Sequence, residues 1–199
     1  MRRIVLASSN AGKLAEMNAI LADLGIELVA QSKLGIEDAE ETGATFVENA
    51  LLKARHAARA SGLPALGDDS GICVDVLDGA PGLYSARYAG GHGDASANIA
   101  KLLAKLDGAD DTQRSAHFHC TIVLLNTGDD PAPLIAEGRW HGRILHAPRG
   151  EHGFGYDPVF FDPHLQRGAA ELDHRTKNLV SHRGLALAQL RALMTQRGA

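Results

Sequence analysis

The chain has 199 residues, a hydrophobic fraction of 45% and a formal net charge of -4 at pH 7. This length is typical of one domain, and the hydrophobic fraction is sufficient for a sizeable core. The negative charge argues against broad binding to nucleic acid, which needs an excess of Lys and Arg over one face. It does not exclude a small polyanion, because a few converging basic side chains and a metal ion can bind one on an acidic protein.

The N-terminal apolar stretch is too short for a signal peptide, and no run reaches the length that spans a membrane. The two cysteines, Cys73 and Cys120, lie far apart within apolar runs. This placement favours two reduced core thiols over a disulfide or a metal site. We therefore expect a cytoplasmic protein with no membrane partner.

The first part of the chain predicts a strand followed by helices. Residues 3–7 are typical of a short buried strand, and the apolar positions between 14 and 24 recur at helical spacing. Thr45 and Glu48 have the spacing of a capping box, and Gly62 fits a C-terminal cap. A second helix is therefore predicted between Thr45 and Gly62.

An adjacent pair of acids, Asp68 and Asp69, lies between two apolar runs. Burying both carboxylates without a cation or several donors is costly, and Mg²⁺ prefers carboxylate oxygens together with phosphate oxygens. Since successive side chains of a strand point to opposite faces, we predict two strand segments over residues 63–77, broken at the acids with a turn on glycine. The pair indicates a metal site, and the alternative is a turn with two exposed acids.

The second part predicts further strands over residues 116–126 and 134–140, a glycine-rich loop over 150–158 and a helix after Ser181. Helices and strands alternate without regular βαβ units. We therefore expect an α/β fold in which helices flank an elongated, twisted mixed sheet, with two lobes and a central active-site cleft.

Two basic segments could bind an anion. Residues 8–13 form a small-residue loop that enters a helix, where free N–H groups and the helix dipole favour negative charge, and Lys13 adds a cation. The loop lacks the residues of a Walker A motif, and an ordinary helix start is the alternative. On the second helix, Asn49, Lys53 and His56 form one polar stripe. Asn49 and Lys53 could reach phosphate oxygens, or the stripe could be a solvated face.

Two other segments could contact a base. Residues 153–158 contain two aromatic rings spaced by glycine, which can offer a ring face to a base or can belong to a hairpin core. His182 and Arg183 lie at a helix start, where basic groups are unfavourable beside the dipole. An anion or an electronegative base edge would relieve that cost, and a purely structural role is the alternative.

In this order, the motifs resemble those of the non-standard purine nucleoside triphosphate pyrophosphatases, from about residue 4 to 193. The segments that carry the resemblance are Ser8–Lys13, Glu40–Ala50, Asp68–Gly71, Gly79–Tyr88, Phe154–Asp157 and Ser181–Gly184. The resemblance implies a single domain over residues 1–199, a homodimer and Mg²⁺ as cofactor. It also implies hydrolysis of ITP, dITP and XTP to the monophosphate and pyrophosphate, which cleanses the nucleotide pool.

The resemblance further implies a role for each site residue. Asp69 is the implied general base and metal ligand, with Glu41 as a second acidic ligand and with Asp68 and Glu40 as further candidates. The residues implied to bind phosphates are Ser8, Ser9, Asn10, Ala11, Gly12, Lys13 and Lys53. Those implied to contact or read the rest of the substrate are Ser70, Phe154, Gly155, Tyr156, Asp157, Lys177, His182 and Arg183.

Two other functions stay open at this point. Arg183 can only donate hydrogen bonds, so it should favour bases with a keto oxygen at C6, but this does not explain how guanine is excluded. A related pyrophosphatase could act on modified or pyrimidine nucleotides. A non-catalytic nucleotide-binding sensor is the alternative outside enzymes, and it predicts that an essential acid or lysine is missing.

Overall fold

The computed structural model describes residues 2–21, 24–91 and 93–198, and the elements below are those of this part of the chain. The strands are β1 (Arg2–Leu6), β2 (Ile26–Ala30), β3 (Ala65–Val74), β4 (Ser115–Leu125), β5 (Leu134–Ile144), β6 (Phe160–Asp162) and β7 (Arg167–Gly168). The helices are α1 (Ala11–Leu21), α2 (Phe46–Ser61), α3 (Ala95–Lys105), α4 (His174–Val180) and α5 (His182–Arg197).

All seven strands of the described residues join one sheet in the order β2-β1-β3-β4-β5-β6-β7. β1 is parallel to both β2 and β3, with Val5 opposite Ala65 in the second pair. The pairs β5–β6 and β6–β7 are antiparallel. The expected α/β fold with a mixed sheet flanked by helices is therefore confirmed.

The chain divides into two compact units. Unit 1 takes the described residues up to Asp69, then Cys120–Gly138, then those from Arg183 onward. Unit 2 takes Ser70–His119 and Arg139–His182. The assignment of residues 1–199 to a single domain stays a prediction.

Unit 1 has three layers, because its part of the sheet is covered on both faces. On one face, apolar residues of α1 and α5, including Met17 and Leu187, pack with Leu66 of β3 and Ile122 of β4. On the other face, small side chains of α2 pack against the sheet in two clusters. The members contributed by α2 are Ala50, Ala54, Ala57 and Ala58. Small side chains let this helix lie close to the strands.

The strand β3 runs without interruption from Ala65 to Val74, so the predicted break and turn at the two acids are wrong. From Ala65 to Asp69 its side chains alternate between the two helical layers. Leu66 belongs to the α1–α5 core, whereas Ala65 belongs to an α2 cluster. Gly67 also faces α2, and a Cβ there would lie 2.3 Å from the carbonyl oxygen of Ala50. Glycine is thus required for the close approach of α2 to β3.

Unit 2 has its own core of aromatic and aliphatic side chains. Phe160 lies within 5 Å of both Phe118 and Trp140, with centroid separations of 4.7 and 4.8 Å. The Trp140 indole N–H donates to Asp162 at 2.7 Å, which satisfies the polar edge of a buried ring. Leu102 of α3 and Ile72 of β3 belong to the same cluster.

The local signals of α2 are confirmed. The Thr45 side chain accepts from the Glu48 N–H at the helix start, and Gly62 ends the helix in the left-handed conformation with φ 68°. The helix over 174–180 was not predicted. The first predicted helix reaches residues 22 and 23, which lie outside the described residues. No helix of the described ranges is both long and apolar enough to span a membrane.

Candidate active site

The loop between β1 and α1 is organised by its own side chains. The Asn10 side-chain oxygen accepts from the Lys13 N–H at 3.1 Å, so Asn10 caps α1. The Ser8 hydroxyl accepts from the Asn10 N–H at 3.2 Å, and the Ser9 hydroxyl donates to Asp38 at 2.8 Å. Ala11 and Gly12 form the first turn of the helix, whose N–H groups have no partner within it. The loop therefore retains the features of an anion site.

Asp69 meets the polar stripe of α2. The Lys53 ammonium donates to Asp69 Oδ1 and to Glu41 Oε1, each at 2.9 Å. The Asn49 amide donates to Asp69 Oδ2 at 3.3 Å. Asn49 and Lys53 lie four residues apart, one helical turn, so both reach the same carboxylate.

Asp68 faces the opposite layer. Its Oδ2 atom lies 2.9 Å from the Lys13 ammonium on α1 and 3.9 Å from the Arg183 guanidinium on α5. Arg183 also donates to Glu16 of α1 at 2.5 Å. Asp68 and Arg183 are both almost fully buried, and each would be costly to bury without an opposite charge. The charges alternate in sign from Lys13 through Asp68 and Arg183 to Glu16, so both buried groups are compensated.

The adjacent acids have pKa values that shift in opposite directions. Burial raises the pKa of Asp68, but Lys13, Arg183 and Lys53 outweigh that effect and lower it to about 2. Burial also raises the pKa of Asp69, and Lys53 only partly offsets it, so the pKa stays above its usual value. Asp68 is thus a fixed anion, whereas Asp69 has the higher proton affinity that suits a general base.

In unit 2, a further lysine–aspartate pair lies beside an aromatic ring. The Lys177 ammonium donates to Asp157 Oδ2 at 2.6 Å and lies 4.8 Å from the centre of the Phe154 ring. The same oxygen accepts from the Phe154 N–H at 2.7 Å. A Cβ on Gly153 would lie 2.1 Å from this oxygen, and φ there is 79°, so glycine is needed for this loop.

The remaining predicted contacts of unit 2 lie around its core. Tyr156 is buried and donates from its hydroxyl to the Ser85 carbonyl at 2.9 Å, so its ring serves the core. His182 is buried and stacks on Phe118 with a centroid separation of 4.7 Å and an interplanar angle of 11°. Ser70 follows Asp69 on β3 and is half-buried.

The structure brings some of the predicted site residues together and leaves others apart. Lys53, Glu41 and Asp69 meet, whereas Glu40 is exposed and joins none of the described contacts of this cluster. Arg183, which was predicted to read the base, has Glu16 and Asp68 as its described partners.

Glu16 was missed as a site residue, although its position three residues after Lys13 signalled a shared helix face. His56, the third member of the predicted stripe, contacts the Glu37 carbonyl instead of Asp69.

The donor set of Glu41 and Asp69 fits a metal ion that also binds phosphate. Two carboxylates reach a single ammonium nitrogen, so they lie close enough to converge on one cation. Within residues 2–21, 24–91 and 93–198, no three His, Cys, Asp or Glu side chains form a metal-binding group. Mg²⁺ is usually bound by one or two carboxylates together with water and substrate phosphates, which matches this incomplete set.

Known proteins resemble this chain over nearly its whole length. The Ham1 family model matches residues 4–193. A curated dITP/XTP pyrophosphatase of Xanthomonas oryzae is 60% identical over 96% of both chains. One of Coxiella burnetii is 54% identical over 98% of both chains. The structure of a HAM1 protein from Coxiella burnetii superposes with a TM-score of 0.90, and the match covers 98% of this chain and 100% of that one.

These names agree with the resemblance drawn from the motifs, which is confirmed. The match includes every segment that carried it, from the loop before α1 to the start of α5. This chain therefore belongs to the Ham1 family.

Proposed function

We propose that this chain hydrolyses dITP, XTP and ITP to the nucleoside monophosphate and pyrophosphate. The observation that carries the proposal is the Asp69 cluster, in which a buried acid of raised pKa meets Lys53, Glu41 and Asn49. Lys53 and Glu41 are the residues that a catalytically inactive nucleotide sensor would be expected to lack. The names of the relatives, dITP/XTP pyrophosphatase, support the same activity.

The triphosphate binds, in this proposal, at the N-terminus of α1. The N–H groups of Ala11 and Gly12 donate to phosphate oxygens, and Asn10 holds the turn in shape through its cap. The Lys13 ammonium, which Asp68 fixes at 2.9 Å, adds positive charge. Ser8 and Ser9 supply hydroxyl groups at the same loop, with Ser9 oriented by Asp38.

Asp69 accepts the proton of the attacking water. The water oxygen bonds to the α-phosphorus in line with the bond to the leaving oxygen, that bond breaks, and pyrophosphate leaves. A positioned carboxylate base contributes about 10²–10⁴-fold to the rate. Lys53 neutralises charge on the phosphates and orients the Asp69 carboxylate through its 2.9 Å hydrogen bond.

Mg²⁺ is the proposed cofactor, held by Glu41 and Asp69, with Asp68 and Glu40 as weaker candidates. When bound, it supplies Lewis-acid stabilisation of charge on the phosphate oxygens. The salt bridges of Asp68 to Lys13 and Arg183 favour a role in positioning Lys13, and Glu41 rather than Glu40 contacts Lys53.

Phe154 is the proposed contact for the base. Phe154 is partly exposed and offers a ring, backed by the buried pair of Asp157 and Lys177. Gly155, Tyr156, Ser70 and His182 complete the proposed contacts. Arg183 would need a guanidinium N–H beyond its contacts with Glu16 and Asp68 to read a keto oxygen.

The proposal extends to assembly and location. A homodimer follows from the family resemblance, and a cytoplasmic location fits an enzyme of the nucleotide pool. The net charge of -4 supports a small-molecule substrate without a nucleic-acid partner.

Pyrophosphate release over a nucleotide panel tests the proposal. We expect turnover of dITP, XTP and ITP with Mg²⁺, loss of turnover with a chelator, and recovery when Mg²⁺ is restored. The panel includes ATP, GTP, dCTP and a methylated nucleotide. Preference for a pyrimidine or modified nucleotide would show that the enzyme acts on that substrate class instead. Nucleotide binding without turnover would support a non-catalytic sensor.

A further inference from the structure

A buried amide connects the segment that precedes α2 to Asp69. Asn49, on the first turn of α2, is 1% exposed. Its Oδ1 atom accepts from the Gly43 N–H at 2.8 Å, and its Nδ2 atom donates to Asp69 Oδ2 at 3.3 Å. The role proposed above for the stripe was phosphate binding, yet this side chain is turned toward protein groups on both sides.

The orientation of the amide is fixed by its partners. A backbone N–H can only donate, and an ionised carboxylate can only accept. Rotating the amide by half a turn would place its NH₂ against the Gly43 N–H and its oxygen against Asp69, which loses both hydrogen bonds. The Gly43 position also requires glycine, since a Cβ would lie 2.7 Å from Asn49 Oδ1 and 2.6 Å from Glu48 Cβ.

The two oxygens of Asp69 therefore have different donors from the same helix. Lys53 binds Oδ1 and Asn49 binds Oδ2. Two donors on different oxygens fix the rotation of the carboxylate plane, whereas one donor would leave it free to turn. Since Gly43 lies two residues after Glu41, the same amide also holds the segment that brings Glu41 to Lys53.

We infer that Asn49 is a positioning residue, which orients the Asp69 carboxylate for proton transfer and ties the Glu41 segment to it. The inference deepens the proposed function and rests on it for its kinetic test. Residues that hydrogen-bond to a metal ligand or a catalytic base, and so orient it, typically contribute about 10–100-fold to activity or metal affinity.

Unit 2 contains a matched control. Asn98 of α3 is 3% exposed, and its Oδ1 atom accepts from the Ala89 N–H at 2.7 Å. Its amide donates to a backbone carbonyl, that of Ala86, at 3.3 Å. Asn98 thus reproduces the burial and the backbone acceptor role of Asn49 without a carboxylate partner.

The decisive substitution is Asn49→Asp, compared with Asn98→Asp. Each new carboxylate still accepts the backbone N–H, but at position 49 it presents an oxygen instead of a donor to Asp69. We expect Asn49→Asp to lower kcat for dITP by about 10–100-fold with KM within about twofold. Asn98→Asp should keep kcat within about twofold of the unmodified protein, since only a structural contact is lost.

Wild-type kinetics for Asn49→Asp, or an equal loss of kcat in Asn98→Asp, would overturn the inference. A second measurement does not depend on turnover. Crystal structures of the unmodified protein and of Asn49→Ala report the rotation of the Asp69 carboxylate, which we expect to change or to split into two orientations. An unchanged single orientation would overturn the inference even if no substrate is turned over, and absent turnover in the unmodified protein would instead contradict the proposed function.

Discussion

The Lys53–Asp69 pair of unit 1 and the Lys177–Asp157 pair of unit 2 differ in their surroundings. In unit 1, Lys53 contacts both Asp69 and Glu41, so carboxylates outnumber the ammonium group. In unit 2, Asp157 and Lys177 are only 3% and 5% exposed and pair at 2.6 Å. Excess negative charge suits binding of a cation and transfer of a proton, whereas a balanced, enclosed pair suits the shaping of a binding surface. The two pairs are thus suited to different roles.

The largest expected effect is the loss of turnover in Asp69→Asn. Asparagine keeps the shape and an acceptor for Lys53 but cannot take a proton, so kcat should fall by about 10²–10⁴-fold. Pyrophosphate release measures the loss, and equilibrium dITP binding should change little. Unimpaired turnover would show that Asp69 is not the general base. The Lys53–Asp69 and Lys177–Asp157 pairs would then no longer differ in role.

Asp157→Asn should act mainly on stability and substrate affinity. Removing one partner of a buried ion pair typically costs about 3–5 kcal/mol, although asparagine can still accept the Phe154 N–H. Denaturant unfolding measures the free energy of unfolding, and KM should rise more than kcat falls. The double variant with Lys177→Met should recover part of the loss. A kcat loss as large as that of Asp69→Asn, at unchanged KM, would contradict the distinction.

Asp68 should make stability depend on pH under acidic conditions. Its folded pKa of about 2 lies below the usual value of 3.8 for an aspartate, so the unfolded state takes up the proton first as the pH falls. The contribution, about 2 kcal/mol, is fully present above pH 4 and is lost as the pH falls toward 2. Unfolding titrations of the unmodified protein and of Asp68→Asn should differ in slope over this range, and equal slopes would refute the assignment.

The smallest expected effects come from the helix caps. Thr45 caps α2, which carries Lys53, and Asp173 caps α4, which carries Lys177, through the Thr176 N–H at 2.8 Å. Replacing either cap by alanine should cost about 1 kcal/mol of stability. Thr45→Ala should lower kcat and Asp173→Ala should raise KM, as measured by steady-state kinetics. A higher KM for Thr45→Ala together with a lower kcat for Asp173→Ala would instead assign catalysis to the Lys177 pair and binding to the Lys53 pair.

Structural features that depend on contacts between neighbours in the chain could be predicted from the sequence. The ends of α2 followed from Thr45 and Gly62, because a cap is a contact between neighbours in the chain. The start of α5 after Ser181 was also predicted correctly. The motif order identified the family and most of the residues that gather around Asp69.

Contacts over long separations could not be predicted in the same way. The acids were expected to interrupt β3, since the sequence does not show that Lys13 and Arg183 compensate Asp68 from other elements. Arg183 and Glu16 are 167 positions apart, so their contact has no local signal. The helix α4 has only seven residues, too few for a clear apolar period.

The alternation along β3 also constrains how the protein can misfold. Shifting this strand by one residue would exchange the faces of all its side chains. A slip in one direction would put Leu66 in the place of Gly67, where the backbone of α2 lies closest. A slip in the other direction would put Asp68 in that place, against the alanine-rich surface of α2 and away from Lys13. Both changes are strongly unfavourable. The adjacent acids and Gly67 therefore favour the correct register of β3 over a shifted one during folding.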